Sequence, residues 1–314
     1  MTGAPGPPPL DTAFAIRALA LDALGAQLVD ELEGAGIPSI MLKGPAIATW
    51  LYRDREIRTY GDADLLVPPA QWEAASGLLR RLGFEDDLGP LAHPRMESIA
   101  STGWVRGSDN VDMHCTLWGI EAGPQRAWEV LSAHTAPMKV GGRVVQVLEP
   151  ATRAMHVALH AAQHGQPHGK PIRDLELALE QLPDDLWVES AAVAAELDAT
   201  AGFATGLRML PAGRALAERL GIQDAGSVDS LLRVAQVPLA HGFEELATTP
   251  GLRGKLAVLR GEVFPNAAFM RWWSPLASRG RLGLAAAYAW RPLYLALKAG
   301  PGLLAWRRAR RAAG

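Results

Sequence analysis

The chain has 314 residues, 49% of them apolar, with 31 Lys and Arg against 33 Asp and Glu for a formal net charge of −2. That balance fits a globular protein long enough for two domains and excludes a general nucleic-acid binder, which carries a basic excess. One cysteine, Cys115, excludes an internal disulfide framework and suits a reducing, cytoplasmic setting; no signal-peptide pattern and no bilayer-spanning apolar run is read.

Residues 1–9 are rich in Pro and Gly and read as disordered. Asp11 and Thr12 can cap a helix through "FAIRALALDALGAQLVDELEGAG", where apolar residues recur at helical spacing up to a glycine stop. "IPSIML", 37–42, is a short apolar strand. Lys43-Gly44 breaks it, and a helix restarts with Pro45 in its first turn. "RTYGDADLLV", 58–67, reads as the next strand, and "PAQWEAASGLLRRLGF" as a helix stopped by Gly83. "SDNVDMHCTLWG", 108–119, alternates strictly. Val111, Met113, Cys115 and Leu117 face one way, and Asp112, His114 and Thr116 the other. "GRVVQVLEP" is a further strand, and beyond about residue 150 the pattern is helical. The organisation is therefore an α/β part, 10–149, followed by a helical part, 150–314.

Asp62 and Asp64 stand two apart at the mouth of an apolar run. On a strand they project to one face, where their charges repel unless a cation sits between them. Asp112 lies on the polar face of its own strand. If the two strands are neighbours, the three carboxylates converge on an oxygen-rich site of the kind Mg²⁺ takes, and two such ions would clamp an in-line displacement at phosphorus. A bare D-x-D also occurs on solvated strands and turns, so the order of elements matters. Here the apolar residues follow the aspartates.

In that order, "IMLKGPAIATWLY", "RTYGDADLLV", "WEAASGLLRRLGF", "VDMHCTLW" and then "LEPATRAMHVALHAAQHG…IRDLELAL" resemble the uncharacterised nucleotidyltransferase family of the polymerase-β-like superfamily, over roughly residues 28–180. The resemblance implies an α+β fold, a mixed-sheet nucleotidyltransferase domain followed by an α-helical domain that carries the acceptor or partner site. It implies ATP or another NTP as donor and two Mg²⁺ ions. It carries Asp62, Asp64 and Asp112 into the metal-ligand and catalytic positions. The activity implied is transfer of a nucleotidyl group, AMP from ATP, to a hydroxyl of an unidentified small molecule, peptide or protein, with release of pyrophosphate. A catalytically inactive nucleotide- or peptide-binding module of the same fold, or a phosphotransferase, are the alternatives.

The chain departs from the wider superfamily at one point. The turn before the helix is Lys43-Gly44-Pro45, with no serine hydroxyl and no N–H at the proline. Lys43 can supply charge to a phosphate instead, and Gly44 permits close backbone approach. Arg58 can reach phosphates or pair with a carboxylate. His114 can orient Asp112, line the pocket or simply pack. His156, His160 and His164 share one helical face, suited to pocket lining or to a metal pair. Asp174 can cap its helix, pair with Arg173 or face the cleft. Residues 271–311 hold four of the ten tryptophans and end in "RRARR", a composition that suits core packing, a protein-partner surface or a membrane surface.

Overall fold

The structure is a computed structural model that describes residues 12–52, 57–86, 101–165, 169–222, 228, 231–232 and 237–313. The expected disorder of residues 1–9 lies outside them. The described residues before 87, with Ser101–Thr116 and Gly123–Arg153, form one compact unit; Leu117–Ala122 and the described residues from Ala154 onward form a second.

The first unit is built on a seven-stranded mixed sheet. Its strands are β1 (Ile40–Met41), β2 (Ala63–Leu66), β3 (Glu85–Asp86), β4 (Ser101–Arg106), β5 (Asp109–His114), β6 (Thr135–Val140) and β7 (Arg143–Leu148), in the order β3-β4-β5-β2-β1-β7-β6. Strands β2 and β5 are parallel neighbours, with Ala63, Asp64, Leu65 and Leu66 opposite Val111, Asp112, Met113 and His114. Strand β2 is central, and every one of its residues is buried. A strand covered on both faces must be apolar throughout, which accounts for the run Leu65-Leu66-Val67.

Helix α1 (Thr12–Gly34) lies on one face of this sheet. Leu21, Leu24, Leu28 and Leu32 pack with Leu65, Val111, Met113, Val145 and Val147 in one core cluster. Since strand side chains alternate, the residues between these, Asp64, Asp112 and His114, point to the opposite face. The short helix α2 (Pro45–Ile47) restarts the chain after β1 with Pro45 in its first turn, as expected. Helix α3 (Trp72–Arg81) also ends as expected. Gly83 at φ +86° donates its N–H to the Arg80 carbonyl, and Phe84 donates to Leu79, closing the last turn. Helix α4 (Pro124–Ala133) leads into β6.

The structure corrects three details of the sequence reading. Residues 58–62 are not strand: β1 is only two residues long, the chain turns away after Leu42, and the stretch has no ladder partner there. Asp62 therefore occupies a bend immediately before β2. Strands β4 and β6 carry no strong strand signal. The first has Ser101, Thr102 and Gly103, and the second contains Pro137, tolerated because β6 is the edge of the sheet.

The second unit is helical. Helix α5 (Pro150–His164) begins at the boundary and runs into it, followed by α6 (Gly169–Gln181), α7 (Asp184–Glu196), α8 (Thr200–Leu207) and α9 (Pro211–Arg219). Leu159, Leu175, Leu177, Trp187 and Phe203 are buried there, with the Trp187 and Phe203 rings 6.3 Å apart. The remaining described helices are α10 (Pro238–Thr248), α11 (Gly251–Val263), α12 (Ala267–Trp273) and α13 (Gly280–Ala313). The fold is α+β, and no helix among the described residues is long and apolar enough to cross a membrane.

Candidate functional site

Parallel pairing of β2 and β5 sets Asp64 beside Asp112, in register. Two residues further on, His114 closes the group. One ligand atom from each of Asp64, Asp112 and His114 lies within 4.8 Å of the others, and this is the three-ligand group found among the described residues. The His114 Nε2 is 3.1 Å from Asp112 Oδ2 and 3.4 Å from Asp64 Oδ1, so the imidazole bridges the two acids.

Lys43 completes the arrangement from the turn after β1. Its Nζ is 2.5 Å from Asp64 Oδ1, and both side chains are largely out of solvent. Burial opposes the charge on Lys43, but Asp64, then Asp112 and Asp62, outweigh it and hold the ammonium above its ordinary value. All three carboxylates singled out in the sequence thus act on one cation. Asp62 does so from its bend, half-buried and outside the three-ligand group. For Asp64, burial would raise the pKa, yet the Lys43 charge and the His114 hydrogen bond hold it well below the usual carboxylate range. Burial disfavours charge on His114 as well, and the bonds to Asp112 and then Asp64 reverse that and raise its pKa. The repulsion expected between carboxylates is met by the Lys43 ammonium and by the His114 hydrogen bonds.

The turn itself is held by parts that sequence reasoning missed. Gly44 sits at φ 53°, ψ −119°, a conformation that L residues with a Cβ avoid. The Tyr60 ring lies beneath it, 3.5 Å from where a Cβ would be, and Tyr60 donates its hydroxyl proton to Asp22 Oδ1 at 2.7 Å. From the other side, buried Arg153 donates to the carbonyls of Leu148 and Ala46 and stacks over Trp50; burial pulls its pKa down to about 10. Tyr60 and Arg153 lie inside the quoted stretches, but nothing in their spacing marked them as supports of the turn. Pro45 has no N–H, and the Ala46 N–H is used by the Lys43 carbonyl. Gly44→Ala is expected to cost about 1–3 kcal/mol through backbone strain alone; a urea melt that matches wild type would show that the turn can relax.

Arg58 is buried, four residues before Asp62, and its charge acts on the Tyr60 hydroxyl. His160 and His164 lie in the second unit on α5, with rings 4.6 Å apart, and His156 follows at 6.2 Å from His160. Asp174 is fully buried on α6, while Arg173 pairs with Glu176 at 3.0 Å.

Among solved structures, the chain is similar to the antibiotic-resistance factor ANT(2'')-Ia. For its solution structure the match has 18% identity over 60% of this chain and 96% of that one, with a TM-score of 0.41. A crystal structure of ANT(2'')-Ia with adenylyl-2''-tobramycin matches at 19% identity over 56% and 98%, TM-score 0.41. An antigenic nucleotidyltransferase-like protein from Paracoccidioides brasiliensis matches at 18% identity over 57% and 92%, TM-score 0.36. Likenesses this slight establish nothing about the reaction. No match is found among curated proteins. The family of uncharacterised nucleotidyltransferases matches residues 12–212, well over half of the chain, and this protein belongs to that family.

Proposed function

We propose that the protein transfers a nucleotidyl group, AMP from ATP, to a hydroxyl of a small-molecule, peptide or protein acceptor, releasing pyrophosphate, in the cytoplasm. One observation carries the reading: Asp64 and Asp112 stand in register on adjacent parallel strands, with the Lys43 ammonium on Asp64. Family membership supports the reaction class.

The donor set fits Mg²⁺, a hard ion that takes oxygen ligands. Two adjacent carboxylates supply them, and the site already gathers positive charge. Asp64 and Asp112 would hold the ion, with Asp62 at the entrance. When bound, Mg²⁺ neutralises triphosphate charge and makes an acceptor hydroxyl more acidic. The protein's own groups do the rest. Lys43 Nζ can turn from Asp64 to a phosphate oxygen. His114 Nε2 holds Asp112 by its Oδ2 and keeps that carboxylate oriented. Asp112 accepts the proton from the acceptor hydroxyl as its oxygen bonds to the α-phosphorus and the bond to pyrophosphate breaks. Positioning and charge compensation carry most of such an acceleration.

Transfer of label from ATP carrying ³²P at the α-phosphate, and not at the γ-phosphate, tests the reading. Transfer of γ-label would make the protein a phosphotransferase. The Lys43–Asp64 contact also suits a nucleotide-binding module without turnover, and tight Mg²⁺-ATP binding with no label transferred would establish that instead. Lys43→Ala is expected to weaken ATP binding by about 1.5–3 kcal/mol, the worth of hydrogen bonds to a charged group. Unchanged affinity by calorimetry would remove Lys43 from the donor site.

A further inference from the structure

Residues 251–314 contain twelve Lys and Arg and a single acid, Glu262, in a chain whose net charge is −2. The described part of this region is α11, α12 and α13, of which α13 is the longest. Its most deeply buried residues are Gly283, Ala287, Gly302 and Ala309, with Arg291 between them, and Leu284, Tyr288 and Trp306 pack partly buried beside them. A Cβ on Gly283 would lie 2.2 Å from the Leu276 carbonyl oxygen, and one on Gly302 3.0 Å from Leu239 Cβ. Arg291 is fixed by stacking over Phe269 and Trp273 and by donating to the Glu262 carbonyl at 2.6 Å. No side chain larger than glycine fits at these two points of close approach.

The exposed face carries large apolar residues. Leu282, Trp290, Leu293, Leu297 and Leu304 are between 47 and 87% exposed. They recur at helical spacing along about 33 Å of helix. Exposed arginines bracket the strip: Arg279 and Arg281 before it, Arg307, Arg308 and Arg311 after it. Trp272 on α12, and Leu252 and Leu256 on α11, are exposed too. Single exposed leucines need no explanation, but a continuous strip marks an interaction surface.

We propose that this face docks on an anionic lipid surface, lying in the plane of the headgroups. Charge chooses the occupant. A second copy would bring an equal excess of positive charge against the first, whereas anionic headgroups complement it. Exposed apolar residues with tryptophan, flanked by arginine and without a long apolar run that could span, suit a surface that rests on headgroups rather than crosses them. An acceptor held at a membrane would be presented to an enzyme docked this way, although docking itself does not depend on the nucleotidyl-transfer reading.

Flotation of the full-length protein with vesicles tests it. Binding is expected to vesicles of about 30% phosphatidylglycerol in phosphatidylcholine, to be at least tenfold weaker on phosphatidylcholine alone, and to fall as salt is raised. Leu293→Asp with Leu297→Asp should abolish it without changing the far-UV circular dichroism, since both side chains are already in solvent. Arg307→Ser, Arg308→Ser and Arg311→Ser together should reduce it on the order of a hundredfold, about fivefold for each charge near the surface. Failure of the wild type to float, equal binding to neutral vesicles, or undiminished binding of the leucine variant would overturn the proposal. So would a concentration-dependent dimer that the leucine variant dissolves, or binding to acidic polypeptides in place of vesicles.

Discussion

Asp64→Asn is expected to abolish nucleotidyl transfer and to lower the stability of the metal-free protein by about 3 kcal/mol, the lower end for breaking a buried ion pair. From sequence alone the sign would be the opposite, because removing one of two neighbouring carboxylates relieves repulsion. Lys43 and His114 reverse it. With Asp64 neutral, the Lys43 ammonium keeps its burial cost and loses its nearest counter-ion. The Asp64 pKa is depressed in the folded state. Its contribution is therefore complete above the ordinary carboxylate value of about 4 and is lost as pH falls below it. Urea melts in chelator should show the full deficit at neutral pH and a shrinking one in acid. Adding Lys43→Met to Asp64→Asn should recover part of the loss, since the two residues share one interaction. A deficit that persists unchanged into acid, or an additive double variant, would mean that the pair does not stabilise the fold.

Much of the fold was legible because the informative residues obey periodicity. The alternation in "NVDMHCTLW" predicted which residues of β5 meet the core, and Val111 and Met113 do so while Asp112 and His114 do not share their face. The unbroken apolar run after Asp64 read as strand, and the structure makes it the central one. What escaped lacks a local period. Strand β6 contains Pro137 and is recognisable only once its edge position is known, and β4 owes its place to pairing with β5. At the site, Lys43 and His114 were visible as polar residues near a motif. Their actual work, neutralising buried Asp64, depends on strands joined across 48 residues of sequence. Tyr60 and Arg153 support the Gly44 turn through contacts that only the assembled sheet creates. On α13 helical spacing places several large apolar residues together, yet they face solvent, which no local pattern announces.

Asp112→Asn separates chemistry from architecture. The Asp112 side chain is 28% exposed, against 3% for Asp64, and it pairs with His114. A single hydrogen bond to a partly solvated carboxylate is worth about 1 kcal/mol, so the variant should melt close to wild type, unlike Asp64→Asn. Its backbone position is fixed by the β2–β5 ladder, which an amide leaves intact. The amide cannot take a proton from the acceptor hydroxyl, and loss of a positioned general base costs about 10²–10⁴ in rate. ATP affinity measured in chelator should change little by comparison, because Lys43 and the Asp62–Asp64 end remain. The expected signature is thus a fall in kcat of that size with a stability and a metal-free ATP dissociation constant near wild type. Full transfer activity in Asp112→Asn would remove Asp112 as the base.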